Sequence, residues 1–177
     1  MRAAELDEKL ILRIADGDGA AFRDLYHQIS GTVYGFALSL LKNKQDAEDV
    51  MHDTFIKIHS SAMSYRETGK PLAWILTIVR NLCYNKIRSG KVCEDIDEYE
   101  NLVYREDTDT VDRIVLKEAL STLDVEERQI VVLHAMTGLK HREIAEILDL
   151  PTGTVLSKYS RALKKMRKNI EGRGESR

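Results

Sequence analysis

Thr154, Lys158, Arg161, Lys165 and Lys168 recur at steps of four, three, four and three, which gives a helix through them one basic side. Residues 156–170 hold six basic side chains and no acidic one, a charge that neutralises phosphates. Thr154, Ser157, Lys158 and Arg161 lie early in that helix, where side chains reach base edges in a major groove. Lys164, Lys165 and Lys168 lie further along and suit phosphate contacts, which position a protein without specifying sequence. A short helix over residues 141–148, with Ile144, Ala145 and Leu148 facing inward, precedes this one. Asp149-Leu150-Pro151 turns the chain, Thr152 can cap the longer helix, and small Ala145 allows a steep, close crossing. Short helix, tight turn and longer helix together read as a helix-turn-helix.

A second set suits unstacked bases. Trp74, Ile78, Asn81, Asn85 and Arg88 also recur at helical steps, with Arg80 and Tyr84 beside them. Residues 70–91 contain five basic side chains and no acidic one. Aromatic rings, amides and guanidinium groups on one face offer a stacking platform with polar edges for a single strand. A third set is acidic: Asp46, Glu48, Asp49, His52, Asp53 and His59 fall within one helical segment. These could be read as a metal or acid–base cluster, but they wrap around the helix with no supporting set elsewhere. An acidic protein-docking surface accounts for them better. No catalytic group, metal or cofactor is expected.

Hydrophobic spacing supplies the elements that must position these sets. Leu6, Leu10, Ile11 and Ile14 form a short stripe, ended by Asp16-Gly17-Asp18-Gly19. Phe22, Leu25, Tyr26, Ile29, Val33, Phe36, Ala37 and Leu40 predict a long helix through Gly31 and Gly35. Ala47, Val50, Met51, Thr54, Phe55 and Ile58 predict a third, and residues 60–70 read as a loop. Pro71 marks the start of a fourth helix running to Arg88. Residues 91–112 lack periodicity and read as a linker, with Ile96, Tyr99, Leu102 and Val103 as scattered apolar anchors. Helical patterning restarts at Val111, Ile114, Val115, Ala119 and Leu123. Asp124 then caps a helix that ends at Gly138. On the last helix Val155, Tyr159, Ala162, Leu163, Met166 and Ile170 form the expected buried face.

A chain of 177 residues with 43% apolar and 32% charged residues is long enough and apolar enough for one domain or two small ones. Two prolines, ten glycines and little β-branched alternation favour an all-α fold. No apolar run is long enough to span a bilayer, and the charged N-terminus lacks a signal-peptide core. Cys83 and Cys93 cannot make a disulfide framework, so a cytoplasmic protein is expected. The net charge of −2 conceals an uneven distribution. Residues 1–90 sum to +1, residues 91–112 to −7, residues 113–139 to −1 and residues 140–177 to +5. An acidic strap between basic readers is a partner signal.

Three motifs in this order resemble a known family. Asp46-Ala-Glu-Asp-Val-Met-His-Asp-Thr-Phe55, then Ala73-Trp-Ile-Leu-Thr-Ile-Val-Arg-Asn-Leu82 with Arg88, then Glu143-Ile-Ala145 with Gly153-Thr-Val155 are similar to the signatures of bacterial extracytoplasmic-function sigma factors of the sigma-70 family. The resemblance spans nearly the whole chain. It implies two small helical domains, residues 1–89 and 111–177, joined by an acidic linker over residues 90–110. The first would dock on core RNA polymerase and open the minus-ten element; the second would read the minus-thirty-five element as duplex.

By the same resemblance, Asp46, Glu48, Asp49, His52, Asp53 and Lys57 would contact polymerase. Tyr65, Arg66, Trp74, Arg80, Asn81, Asn85 and Arg88 would lie along the melted minus-ten strand. Asn85 departs from the family, which usually places an aspartate there. The linker would take the place of nucleic acid in a polymerase channel, and an anti-sigma factor is implied as a further partner. Two other classes compete with this reading. One is a conventional helix-turn-helix activator with a helical sensor or dimerisation domain; the other is a metal-dependent helical hydrolase built on Glu48, His52 and Asp53. The face from Trp74 to Arg88 beside an acidic helix discriminates against the first, since a sensor domain does not need it; a metal analysis of the pure protein discriminates the second.

Overall fold

The computed structural model describes residues 6–90, 116 and 118–174, and every regular element among them is a helix. The linker beyond Gly90, with Ile96, Tyr99, Leu102 and Val103, and the restart at Val111, Ile114 and Val115 lie outside the described residues. Among the described residues seven α-helices with defined ends succeed one another: α1 (Lys9–Ala15), α2 (Gly19–Leu41), α3 (Lys44–Ser61), α4 (Pro71–Arg88), α5 (Val125–Thr137), α6 (His141–Leu148) and α7 (Thr152–Gly174); residues 118–121, ahead of α5, are helical as well.

Local chemistry fixes the helix ends. Asp18 caps α2, its carboxylate accepting from the backbone of Ala20 (2.8 Å) and Ala21 (3.2 Å). Arg13 grips the same carboxylate at 2.6 Å and helps hold it below the ordinary aspartate range, together with those two backbone bonds. At the other end Lys42 turns left-handed and Asn43 caps α3 by accepting from the Asp46 N–H at 2.9 Å. The α2–α3 corner therefore takes only two residues. Pro71 opens α4, where its missing N–H costs nothing. Asp124 and Glu127 form a reciprocal capping box at the start of α5, and Gly138 ends that helix in the left-handed region.

Two local expectations are corrected. The segment expected to be a loop from residue 60 stays helical to Ser61 and continues as a 3-10 turn, Ala62–Ser64. The serines there donate back to carbonyls three residues earlier, Ser60 to Lys57 and Ser64 to Ser61, so their polarity does not break the helix. Thr152 is the first residue of α7 and not its cap. The Pro151 carbonyl instead accepts the first helical bond, from Val155 at 3.1 Å.

Every residue of α2 from Gly35 to Leu41 is buried, because α2 packs against α1, α3, α4 and α5. The single polar group in that stretch, the Ser39 hydroxyl, donates to the Phe36 carbonyl at 2.7 Å. One hydrophobic core thus runs from α1–α4 into α5–α7. The approach is closest at Gly35, where an added Cβ would lie 2.5 Å from Met136 Cε. Polar ties complete the contact: Lys70 pairs with Glu146 at 2.7 Å and Arg80 donates to the Leu148 carbonyl at 2.9 Å. Among the described residues no helix is long and apolar enough to cross a membrane.

Candidate nucleic-acid interface

Helices α6 and α7 form the helix-turn-helix expected from the sequence. Asp149 turns the chain in the left-handed region and Leu150 donates to the Ala145 carbonyl at 3.0 Å, which leaves room for α7 to cross. Val155 and Ala162 are fully buried, with Tyr159 and Met166 half-buried beside them. Leu163 and Ile170, expected on the buried face, are instead 44% and 46% exposed. At about 100° per residue, the first four lie within an arc of roughly 60°, and Leu163 and Ile170 fall just outside it. Leu156, 51% exposed, extends that uncovered edge.

The opposite side of α7 presents Ser157, Arg161, Lys164 and Lys168 to solvent, with Thr154 half-buried at the helix start. Lys158 and Lys165 occupy the border next to α5 and are engaged there. Lys158 reaches Glu126 at 3.0 Å and Asp124 at 3.8 Å; Lys165 reaches Glu127 at 2.6 Å. The hydrogen bond to Glu126 raises the Lys158 pKa. Glu127 is almost wholly buried, so its pair with Lys165 braces α7 against the capping box of α5. Sequence spacing groups these two lysines with the others because their carboxylate partners are distant in the chain.

A stacked aromatic cluster supports the turn. The rings of His134 and His141 lie 4.9 Å apart, and both meet Tyr159 edge-on, at 5.1 and 4.7 Å. His134 Nδ1 lies 2.9 Å from the Leu139 carbonyl. Burial, and then the neighbouring His134, push the His141 pKa below its usual 6.5. The folded chain therefore favours neutral His141, and the stability this contributes is complete above the unfolded value and lost as pH falls below it. The urea midpoint is expected to drop between about pH 7.5 and about pH 5.5, and His141→Phe is expected to flatten that dependence. Parallel pH profiles for the two proteins would remove this role for His141.

On α4, Asn81, Tyr84, Asn85, Ile87 and Arg88 line an open groove of about 600 Å³. Arg88 donates to the Asn85 side chain at 2.7 Å, so these two present a joined polar edge. Arg80 sits over the Tyr84 ring, 5.0 Å from its centre, while its guanidinium also bonds α6. Trp74 is half-buried, and Tyr65 packs against it with ring centres 4.8 Å apart. Arg66 is exposed on the adjoining loop. The carboxylate of Glu8, absent from the sequence-derived site, accepts from the Tyr65 hydroxyl and from two backbone N–H groups of that loop. The Tyr65 bond is the main cause holding Glu8 below its usual range; burial, then that bond, push Tyr65 up to about 12.

On α3, Ala47, Val50, Thr54, Phe55 and Ile58 face the core, leaving Glu48, Asp49, His52, Asp53 and Lys57 exposed. Asp46 departs from the surface role expected of it. It is 7% exposed and paired with Lys86 of α4 at 2.7 Å. Asp49 holds the same ammonium at 2.8 Å. Burial opposes the charge on Lys86, but the two carboxylates prevail and raise its pKa. Ile56, 67% exposed, stands within the acidic face and is not marked out by the sequence pattern. Among the described residues no group of three or more His, Cys, Asp or Glu side chains could hold a metal ion.

Comparison with known proteins matches two family descriptions in this order: Sigma-70 region 2 over residues 25–92 and Sigma-70, region 4 over residues 113–166. The ECF RNA polymerase sigma-E factor of Haemophilus influenzae is 28% identical over 182 residues, covering 93% of this chain and 95% of its own. The ECF RNA polymerase sigma factor SigW of Bacillus subtilis is 26% identical over 184 residues, covering 92% and 96%. Among solved structures, the sigma factor RpoE of Bartonella quintana, in complex with the anti-sigma factor NepR, has a TM-score of 0.71 at 25% identity. It covers 85% of this chain and 96% of its own. CnrH, in complex with the cytosolic domain of CnrY, shares the fold at a TM-score of 0.71 and 22% identity, covering 94% and 97%. A helix-turn-helix with a basic outer arc, a basic-aromatic face on α4 and this ordered pair of regions agree: the chain belongs to the sigma-70 family and is an extracytoplasmic-function RNA polymerase sigma factor.

Proposed function

We propose that the chain acts through two separate DNA readers and one polymerase-docking face, without catalytic chemistry of its own, in the cytoplasm where polymerase works. The carrying observation is the outer arc of α7, where Ser157, Arg161, Lys164 and Lys168 are exposed at the end of a braced helix-turn-helix. That arc enters the major groove of the minus-thirty-five duplex. Tyr65, Arg66, Trp74, Arg80, Asn81, Asn85 and Arg88 serve the melted minus-ten strand, whose bases stack and bond once unpaired. The exposed face of α3 docks on core polymerase. Two readers held on one polymerase act at high effective concentration, so each can be weak alone. Run-off transcription with core polymerase, then mapping of start sites, tests this; no added initiation over core alone would refute it.

The two groups on α7 predict different behaviour. Replacing Arg161 with alanine is expected to cost roughly 1–3 kcal/mol and relax preference at particular minus-thirty-five bases. Replacing Lys168 is expected to weaken all promoters alike and flatten the salt dependence by about one unit of slope. A promoter library transcribed at two salt concentrations separates them. Uniform loss from Arg161→Ala would move Arg161 among the phosphate contacts. The solved relatives RpoE and CnrH are held by partners in their complexes, RpoE by an anti-sigma factor, and we extend such a partner to this chain.

A further inference from the structure

Glu8 stands at the start of α1, before the matched region 2 begins at residue 25. Its side chain does not cap its own helix; Asp7 accepts from the Lys9 N–H at 3.0 Å instead. Glu8 reaches across to the loop between α3 and α4. There a single oxygen, Oε1, accepts from the Tyr65 hydroxyl at 2.5 Å and from the Thr68 and Gly69 N–H groups at 3.0 Å each. Gly69 itself adopts φ +69, a conformation that costs glycine little, and so turns the chain just after these two N–H groups. The anchor beneath is firm: Leu10, Ile11 and Ile14 of α1 are buried in the core. The far side is functional by the proposed reading of α4, since Tyr65 packs on Trp74 and Arg66 is exposed between the tethered points.

We propose that Glu8 is a positioning residue for minus-ten recognition, its carboxylate fixing residues 65–69 so that Tyr65, Arg66 and Trp74 meet the melted strand in one geometry. The inference rests on the assignment of that loop and α4 to the minus-ten strand. Charge-assisted hydrogen bonds to one preorganised oxygen give a short loop a fixed shape without burying it. No other acid in α1 serves: Asp7 is occupied by its own helix and the α1 helix itself contains no carboxylate.

The test uses holoenzyme reconstituted from core polymerase and full-length variants, with a promoter library randomised separately at the minus-ten and minus-thirty-five elements. Glu8→Ala is expected to lower open-complex formation about ten-fold, the value of roughly one lost charge-assisted hydrogen bond, and to relax minus-ten preference. Core affinity and minus-thirty-five preference are expected to stay unchanged. Glu8→Gln, which keeps an acceptor oxygen, is expected to recover part of the loss. Tyr65→Phe, which keeps the ring on Trp74, is expected to relax the same minus-ten positions. Arg66→Ala and Asn81→Ala run in parallel. If these two leave minus-ten preference intact, the underlying assignment fails and the proposal with it. If they shift it while Glu8→Ala and Tyr65→Phe do not, the positioning role alone is overturned. Equal loss at both elements, or a fall in core affinity, assigns Glu8 to general stability and also overturns the proposal.

Discussion

Converting Glu48 and Asp53 together to lysine is expected to abolish co-purification with core polymerase while leaving the helical circular dichroism unchanged. Both side chains stand on the solvent face of α3, so the swap disturbs no packing. On polymerase it would set two like charges against a surface complementary to acids, and such juxtaposition costs several kcal/mol. Asp49 is a poorer choice despite its exposure, because it binds Lys86 and ties α3 to α4. Ile56→Ala is expected to weaken docking without any charge effect, since an exposed apolar side chain inside a polar rim is a common anchor. Polymerase binding at wild-type strength by the doubly reversed chain would remove α3 from the docking surface.

The second large effect concerns stability. Phe36 is 1% exposed on α2, in the stretch where α2 is buried on all sides. Phe36→Ala is expected to cost about 3–5 kcal/mol, from lost transfer energy and the cavity left behind. For a chain of this size each kcal/mol shifts Tm by roughly 2–4 °C, so a fall of about 10 °C is expected. Because one core joins α1–α4 to α5–α7, fluorescence of Trp74 and far-ultraviolet dichroism are expected to report one shared transition. Met63→Ala, at 86% exposed, is expected to stay within about 0.5 kcal/mol. Two separated transitions would show that the halves unfold independently.

Most features set by neighbours in the chain were legible in the sequence, the helical serines at 60 and 64 and the start of α7 at Pro151 excepted; features set across it were not. The ends of α4 and α5 are set by residues within one turn, Pro71 at one start and Asp124, Glu127 and Gly138 around the other helix. Helical spacing places Arg161 and Lys168 on the outer arc of α7, but it counts Lys158 and Lys165 with them. The turn at Asp149 was legible because Leu150 and Pro151 adjoin it. Contacts between distant segments leave no such mark. Nothing near Lys158 or Lys165 in the chain announces their carboxylates on α5, and nothing near Asp46 announces Lys86. Arg128, whose guanidinium binds the carbonyls of Leu120 and Leu123 from a buried position, looks in sequence like any charge in a helix. Leu163 and Ile170 show the converse: apolar periodicity marks a stripe, but the width of that stripe depends on how much neighbouring helix there is to cover it.

The shared core has a consequence for reach. With Arg80 bonded to the Leu148 carbonyl, α4 and the helix-turn-helix touch. The minus-ten and minus-thirty-five elements lie about 25 base pairs apart, roughly 85 Å along the axis at 3.4 Å per pair. On the proposed assignment of α4 and α7 to these two elements, a chain closed in this way cannot lie on both at once. On that assignment the Lys70–Glu146 pair, the Arg80 bond and the seam at Gly35 and Met136 act as a load on assembly. Whatever free energy holds the halves together is subtracted from the affinity with which polymerase and promoter draw them apart. On the same proposal, tightening the seam at Gly35 and Met136, which carries no proposed DNA contact, is expected to lower initiation, and loosening it to raise initiation at every promoter the chain serves.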